Sequence, residues 1–418
     1  MISALVVASL LAAPGLDADQ LPATFLQSAS PHTARFNSVA DGGTLGFRSG
    51  PGVLGVDTLQ NWSSWFYQPG FDPAGNVQFT WGYTMVGRSP LPPVGGGSGS
   101  DRTTVLRAPI VPVVVDLRNA DGTPRFVNGQ RLVSDPTRFL RPVLGSPVFS
   151  SARFDSSRSP TQFSDAVQRA EFFGSADDAW HTLLRPVVQA KRTMVLLRGT
   201  YAFALNGDGS CCAFILVEAG TFAGQLFPPS FVPGDTTSVI GQAETAGDVT
   251  TSDLSTFLFP DTYLFNGTTA DCCVLGFHTY DLEAGDASNG FQERRYVLDY
   301  SSWITPGLFG GGFADVTALS HEIAETFNDP FGSNTTPWWL GPNGLCQDDL
   351  EVGDVIEGLA NGVFPVTLNG TTYHPQNEAL LPWFAGQQRS SAIHGAYSYP
   401  DTTLLTAAAV SQRPGCAP

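Results

Sequence analysis

Residues 108–117, APIVPVVVDL, are the stretch that most restricts how this chain can fold. Five of these ten residues are the β-branched valine or isoleucine. An apolar run rich in β-branched residues is typical of a strand that is buried inside a sheet. Similar patterns predict further strands at 193–199, 212–218, 272–280 and 295–301. We therefore expect a sheet to form the framework of the fold.

The composition favours strands over long surface helices. Lysine occurs once, methionine three times and glutamate ten times, whereas the chain has 45 glycines and 31 prolines. Lysine, glutamate and methionine, which promote surface helices, are scarce, and the 29 phenylalanines supply ample apolar surface for a core. The expected fold class is a β-rich α+β protein with a mixed sheet.

The charge distribution excludes one class of partner and indicates where a site lies. A net charge of −17 argues against nucleic acid, because its recognition begins with a basic surface that neutralises phosphates. Five of the ten glutamates lie between residues 322 and 378. This concentration indicates a functional site within that span.

The first eighteen residues have the features of a secretory signal peptide, which we expect at 1–18. Residues 2–13 form an apolar run that is shorter than the roughly 20 residues needed to span a bilayer, and Ala18 offers a small residue for cleavage. No later segment is long and apolar enough to cross a membrane, so a secreted, extracellular protein is expected. The alternative is a buried N-terminal strand or helix.

A linker divides the remaining chain into two parts. The segment 89–101, SPLPPVGGGSGSD, combines stiff proline with flexible glycine and serine. We expect a small β-rich N-terminal region at 19–100, which ends in this linker, and a main α+β domain at 101–418. Within the main domain, apolar residues at helical spacing predict a pair of helices at 163–173 and 176–184.

The cysteines indicate an oxidising compartment, because their number is even. They form two vicinal pairs and two single residues: Cys211 and Cys212, Cys272 and Cys273, Cys346, and Cys416. Neighbouring residues on a strand point to opposite faces, so we expect the vicinal pairs to crosslink adjacent strands. The two single cysteines are expected to bond to each other and fix the C-terminal tail. A soft-metal site is the alternative.

Residues 313–329, FADVTALSHEIAETFND, are predicted to form the helix that carries the chemistry. An apolar stripe runs along it, and Pro330 ends it. His321 and Glu325 are four residues apart, so their side chains leave one helix face a turn apart. With Glu322 they form H-E-x-x-E, the zincin H-E-x-x-H helix with glutamate in place of the second histidine.

The zincin motif assigns a role to each of these side chains. In that motif the two outer residues hold zinc and the inner glutamate takes a proton from water. His321 and Glu325 are thus expected metal ligands, with Glu322 as the catalytic general base. A glutamate ligand also suits harder ions such as Mn²⁺ or Ca²⁺. The alternatives are an i,i+4 ion pair on an exposed helix and a structural Ca²⁺ site.

A third metal ligand has to come from another segment. The run QDDLEVGDVIEG places five acidic residues close together, and Glu351 within it is the expected third ligand. Asp354 and His374 are alternatives, and Glu357 belongs to the same acidic run. His278 lies in a predicted strand, where it is either a structural histidine or a contact to metal or substrate.

The segments SHEIAETFNDP and LEVGDVIEG carry a family resemblance. They resemble the H-E-L-A-E and E-I-G-D-x-C-E-G patterns of the phosphate-induced protein 1 (exordium-like) family and of related secreted bacterial and fungal proteins. The resemblance covers about 70 residues and implies an extracellular protein. It places shared positions at His321, Glu322, Glu325, Asn328, Pro330, Glu351, Gly353, Asp354 and Glu357. Ile356 departs from it, because many members have cysteine there.

Two functions follow from these patterns. The first is a secreted metal-dependent hydrolase, similar to a zinc metallopeptidase, that acts on a peptide, protein or cell-wall substrate. The second is a non-catalytic extracellular protein of the exordium-like type that binds cell-wall carbohydrate or protein and holds at most a structural Ca²⁺ ion.

Overall fold

The computed structural model describes residues 19–32, 50–51, 53–69, 78–91, 102–410 and 416. The predicted signal peptide at 1–18 and most of the predicted linker at 89–101 lie outside these residues. Among the described residues, no helix combines the length and the apolar character that crossing a membrane requires.

The strands in chain order are β1 (Gly50–Pro51), β2 (Val56–Asp57), β3 (Asn61–Pro69), β4 (Gln78–Val86), β5 (Thr103–Arg118), β6 (Phe126–Val127), β7 (Gln130–Arg131), β8 (Val133–Ser134), β9 (His181–Val188), β10 (Arg192–Leu197), β11 (Tyr201–Leu205), β12 (Cys211–Glu218), β13 (Leu254–Pro260), β14 (Thr262–Phe265), β15 (Cys272–Val274), β16 (Gly276–Glu283), β17 (Glu293–Trp303), β18 (Thr335–Leu340), β19 (Cys346–Asp349), β20 (Val366–Leu368), β21 (Thr371–Tyr373), β22 (Glu378–Ala379) and β23 (Ser398–Tyr399).

The α-helices are α1 (Thr137–Gly145), α2 (Phe163–Glu171), α3 (Ala219–Leu226), α4 (Val239–Thr245), α5 (Thr317–Asn328) and α6 (Leu381–Phe384). Short 3₁₀ helices lie at Phe25–Ser28, Ala287–Asn289 and Ile393–Gly395. The helices are few and short, as the composition predicts.

The largest sheet has eight strands and is organised around β5. Its main path runs β10-β5-β13-β17-β16, and β2, β8 and β9 pair with strands of this path. β5 pairs in parallel with β9, β10 and β13, and β13 pairs in parallel with β17. β16 pairs antiparallel with β17. The prediction of a β-rich protein with a mixed sheet is confirmed, and most pairs around β5 are parallel.

The alternation of side chains along β5 explains why this strand lies inside the protein. Leu106, Ala108 and Ile110 face one hydrophobic core, which also contains residues of α1 and α5. Val111 and Val113 begin the opposite series, which faces a second core with residues of α3 and α4. Because successive side chains point to opposite faces, one apolar run fills both cores.

The N-terminal region contacts the main body of the protein at several points. β3 and β4 form an antiparallel hairpin, and β4 packs against α5 and β18. β2 adds to the large sheet by parallel pairing with β17. The segment 19–32 bridges to the four-stranded sheet β11-β12-β14-β15 at Gln20 and His32. The division of the chain near residue 100 stays a prediction.

One predicted helix is wrong. Residues 176–184 do not continue the helical pair; they contain a turn and the start of β9. β9 pairs in parallel with the first half of β5, and the backbone N of Thr182 donates to Asp165 Oδ1 at 2.6 Å. Pairing with a long central strand therefore outweighs the local spacing of apolar residues. The other predicted helix is confirmed as α2.

The predicted disulfide pattern is half correct. Cys346 bonds to Cys416, with Cα atoms 5.8 Å apart, as expected. The prediction that the vicinal pairs crosslink adjacent strands is wrong, because Cys211 bonds to Cys212 and the second pair likewise bonds within itself. That prediction relied on the alternation of side chains along a strand, whereas the Cα atoms within each pair lie 3.0 Å apart.

Candidate metal centre

Helix α5 is buried along its whole length. Its predicted apolar stripe, which includes Leu319 and Ile323, packs in the same core as residues of β13, β16 and β17. His321 and Glu322 are 0% exposed and Glu325 is 3% exposed. The alternative of an ion pair on an exposed helix is therefore wrong, and the polar side chains of α5 lie inside the protein.

The sequence pattern placed Asp315 in the first turn of this helix, but α5 begins two residues later, at Thr317. Asp315 has a positive φ of 42° and precedes the helix. Its carboxylate accepts a hydrogen bond from the backbone N of His374 at 2.8 Å and lies 2.7 Å from the ring Nδ1 of the same residue. The structure thus places His374 beside Asp315 and outside the groups described next.

Two groups of metal-ligating side chains converge on α5, and they share Glu325. The first consists of His278 from β16 with Glu322 and Glu325, and the second of His321, Glu325 and Asp354. Within each group the ligand atoms all lie within 4.8 Å of one another. These are the groups of three such residues found among the described residues.

Glu325 lies between the two imidazoles. Its Oε2 atom is 2.9 Å from His321 Nε2 and 3.5 Å from His278 Nδ1. Glu322 Oε2 is 3.6 Å from His278 Nδ1, and Asp354 Oδ1 is 3.6 Å from His321 Nε2. Each group therefore has one imidazole nitrogen facing two carboxylates, which is a donor set that divalent transition metals accept.

The segment after β19 holds Glu325 in place. The backbone N–H groups of Gly353 and Asp354 donate to Glu325 Oε1 at 3.0 and 3.2 Å. Gln376 Nε2 donates to the carbonyl of Gly353 at 2.9 Å and lies 2.9 Å from His321 Nδ1. Because these contacts hold Oε1 of Glu325 and the His321 ring in place, Oε2 of Glu325 remains available to both groups.

Two glycines allow the surrounding strands and loops to approach the site closely. A Cβ atom on Gly353 would lie 2.6 Å from Nδ1 and Cε1 of His321. A Cβ atom on Gly276, at the start of β16, would lie 2.6 Å from Glu322 Oε1. A side chain at either position would force its neighbours to shift, so glycine at both positions suits this arrangement of histidine and glutamate.

Several buried carboxylates at the site make no hydrogen bond. Neither oxygen of Glu322, Glu351 or Glu378 has a hydrogen-bond partner among the described residues, and the same is true of Nε2 of His278. All four residues are at most 4% exposed. A buried carboxylate without partners is costly, and a metal ion is one of the few groups that relieves the cost. The chemistry of the donors therefore fits a divalent cation.

The buried charges shift the pKa values in opposite directions. Burial lowers the pKa of both imidazoles, but the surrounding carboxylates outweigh this effect and raise both pKa values well above the ordinary range. The largest carboxylate contribution comes from Glu351 for His278 and from Glu325 for His321. Burial raises the pKa of Glu322 to about 8. Burial also raises the pKa of Glu325, but the two imidazoles, of which His321 contributes more, hold this pKa well below the usual range.

The structure brings most of the predicted site residues together. His321, Glu322 and Glu325 lie in the two groups, and of the alternatives for a further ligand Asp354 completes the group around His321. Glu351 lies on the other side, with Oε2 3.8 Å from His278 Nε2, and its assignment as a metal ligand stays a prediction.

The structure also places His278 and Glu357, two further predicted residues, at or near the two ligand groups. His278 joins the first group, which favours the metal-contact alternative for this residue over a purely structural one. Glu357 is 8% exposed and adds negative charge near His321, which contributes to the raised pKa of that imidazole.

Sequence reasoning did not assign Glu378 or Gln376 to the site. Glu378 lies on β22 with an unpartnered, fully buried carboxyl group whose pKa is raised well above its ordinary value, mainly by burial. The concentration of glutamates between 322 and 378 was the signal that could have included it. Gln376 had no such signal, because nothing in the local sequence places its amide against His321.

The chain has no significant match to any family model, to any curated protein or to any solved structure.

Proposed function

We propose that this protein is a metal-dependent hydrolase whose metal is held by α5 and by the segment after β19. The observation that carries the proposal is the pair of ligand groups that share Glu325, inside a buried cluster of carboxylates that lack hydrogen bonds. An acidic, histidine-containing site of this kind has no evident packing role, because uncompensated buried carboxylates destabilise a fold.

The zincin-like arrangement with one zinc ion gives the roles of the residues. His321 and Glu325 hold the ion. The third ligand is either Glu351, as predicted from sequence, or Asp354, which belongs to the same ligand group as His321. Bound metal supplies Lewis acidity that polarises a carbonyl group and acidifies water. Glu322, next to His321 on the helix, accepts the proton as general base.

The cellular setting and the family belong to the same proposal. A secreted protein agrees with the disulfide between Cys346 and Cys416, because such bonds persist in oxidising compartments. The proposed relationship to exordium-like proteins rests on the segments around His321 and Glu351. The proposed substrates are peptides, proteins or cell-wall polymers.

The test compares the wild type with Glu322→Gln on a library of quenched fluorescent peptides and on cell-wall polysaccharide. The variant is expected to lose about 10²- to 10⁴-fold in turnover, the usual contribution of a general base. Glu171→Gln is the matched control, because Glu171 is equally buried but belongs to neither ligand group. Full activity of Glu322→Gln would contradict the role of Glu322, and a wild type without any hydrolysis would contradict the function.

A second candidate is a non-catalytic extracellular protein with a structural metal. The observation in its favour is that the residues of both groups are at most 4% exposed, which suits an ion that stabilises the fold. Thermal melting with and without EDTA separates the two functions. Calcium with a large rise in melting temperature favours the structural role, whereas zinc with a modest rise favours the hydrolase.

A further inference from the structure

We infer that this centre binds two divalent metal ions at once, one in each ligand group, with Glu325 as the bridging carboxylate. The inference shares with the proposed function the premise that the site takes metal. It goes further in the number of ions and in the role of Glu322.

The separation of the histidines argues against one shared ion. Ligand atoms lie about 2.0 to 2.2 Å from zinc, so two ligands of one ion are at most about 4.4 Å apart. Within the described part of the chain, no group of ligand atoms within 4.8 Å contains both His278 and His321. Each histidine nevertheless reaches Glu325 and a second carboxylate of its own. One ion would therefore leave a complete second group unused.

The position of Glu325 suits a bridge. Its Oε2 atom faces Nδ1 of His278 and Nε2 of His321, at 3.5 and 2.9 Å, and each separation lets an ion lie between nitrogen and oxygen. Its Oε1 atom is occupied by the backbone N–H groups of Gly353 and Asp354, which fix the carboxylate from behind. Paired ions in hydrolytic enzymes lie about 3.5 to 4 Å apart, a spacing that a single bridging oxygen supports.

The charge of the cluster also favours more than one ion. The buried acidic residues at the site include five: Glu322, Glu325, Glu351, Asp354 and Glu378. If all five are ionised and the imidazoles are neutral ligands, one divalent ion leaves three negative charges and two ions leave one. Glu322 and Glu351, whose oxygens lack hydrogen bonds, lie beside different nitrogens of His278, Glu322 at Nδ1 and Glu351 at Nε2, and outside the group around His321. A second ion at Nδ1 compensates Glu322, which the first ion does not reach.

This arrangement changes the role of Glu322. In the one-ion arrangement it is a general base, whereas beside His278 it is a ligand of the second ion. The two roles make opposite predictions for the metal content of Glu322→Gln. The base variant keeps its metal, and the ligand variant loses one of two ions.

The experiment loads the purified full chain with Zn²⁺ or Mn²⁺, removes unbound metal by gel filtration and counts the ions per chain by mass spectrometry. Two ions are expected for the wild type and one each for His278→Gln, Glu322→Gln and Asp354→Asn. Glu171→Gln is the control and should keep two. One ion in the wild type would overturn the inference, and so would two ions in Glu322→Gln and His278→Gln.

Electron paramagnetic resonance of the Mn²⁺-loaded wild type keeps the inference testable if the variants do not fold. A bridged pair gives a spin-coupled spectrum, whereas the six-line spectrum of isolated Mn²⁺ would contradict it. Two ions in a protein without hydrolysis would support the inference and contradict the proposed function. One ion in an active hydrolase would do the reverse.

Discussion

Two buried carboxylates next to histidines, Asp165 on α2 and Glu322 on α5, have opposite surroundings. Asp165 Oδ2 accepts a hydrogen bond from Thr161 at 2.6 Å and lies 2.8 Å from His181 Nδ1. Its Oδ1 atom accepts from the backbone N of Thr182 at 2.6 Å. Neither oxygen of Glu322 has a hydrogen-bond partner among the described residues.

The difference shows what each site is suited for. Both residues are 0% exposed, so burial alone does not distinguish them. Asp165 is satisfied by neighbours that the fold already supplies, and it joins α2 to β9 as a structural link. Glu322 lies 3.6 Å from Nδ1 of His278 and has no hydrogen-bond partner among the described residues, so its carboxyl group is open to a metal ion. The same contrast applies to Glu351 and Glu378, so three such carboxyl groups lie at this site.

The largest effect is expected from replacing Glu325, which both ligand groups share. Glu325→Gln should weaken binding of Zn²⁺ or Mn²⁺ by more than about 100-fold, since even outer partners of metal ligands contribute 10- to 100-fold. Asp165→Asn should cost about 1 to 3 kcal/mol in the free energy of unfolding, because it disrupts buried hydrogen bonds. Calorimetric titration and urea denaturation measure the two effects. Metal loss in Asp165→Asn, with metal retained in Glu325→Gln, would reverse the comparison.

A smaller effect is expected from the glycine that packs against His321. In Gly353→Ala the new Cβ atom would lie 2.6 Å from the ring, so the ring must move and metal affinity should fall about 10- to 100-fold. Gly224→Ala in α3 is the control, because nothing lies within 4 Å of its added Cβ atom. The control should keep full affinity and gain about 0.5 to 1 kcal/mol in stability. Equal affinity in both variants would show that the ring position does not matter.

The smallest effect is expected at Glu378, which belongs to neither ligand group. Glu378→Gln should lower metal affinity by less than about tenfold, because its carboxylate supplies charge near the site and no ligand atom. The stability of the metal-free protein should not fall, since the glutamine replaces a buried carboxyl without hydrogen bonds. A loss as large as that of Glu325→Gln, measured by the same titration, would make Glu378 a ligand.

The framework of the fold could be predicted because its signals are local. The β-branched run of β5 and the apolar stripe of α5 each predict a buried element from local sequence, and both elements lie where expected. His321, Glu322 and Glu325 share one helix, so a spacing of four residues was enough to group them.

The rest of the site depends on tertiary contacts that no local pattern encodes. His278 reaches α5 from β16, and Asp354 reaches it because Gly353 lets the backbone approach the His321 ring. The sequence around 176–184 shows the same limit, because pairing with β5 decided its conformation. The vicinal cysteines depended on a backbone geometry that alternation along a strand does not describe.

The central claim is that the buried cluster around Glu325 is a metal centre. The most direct test is the metal content of the purified wild-type chain after incubation with excess Zn²⁺ or Mn²⁺ and gel filtration. We expect the wild type to bind divalent metal tightly, at two ions per chain, and Glu325→Gln not to retain it. Wild-type protein that leaves the column with no stoichiometric metal would contradict this claim.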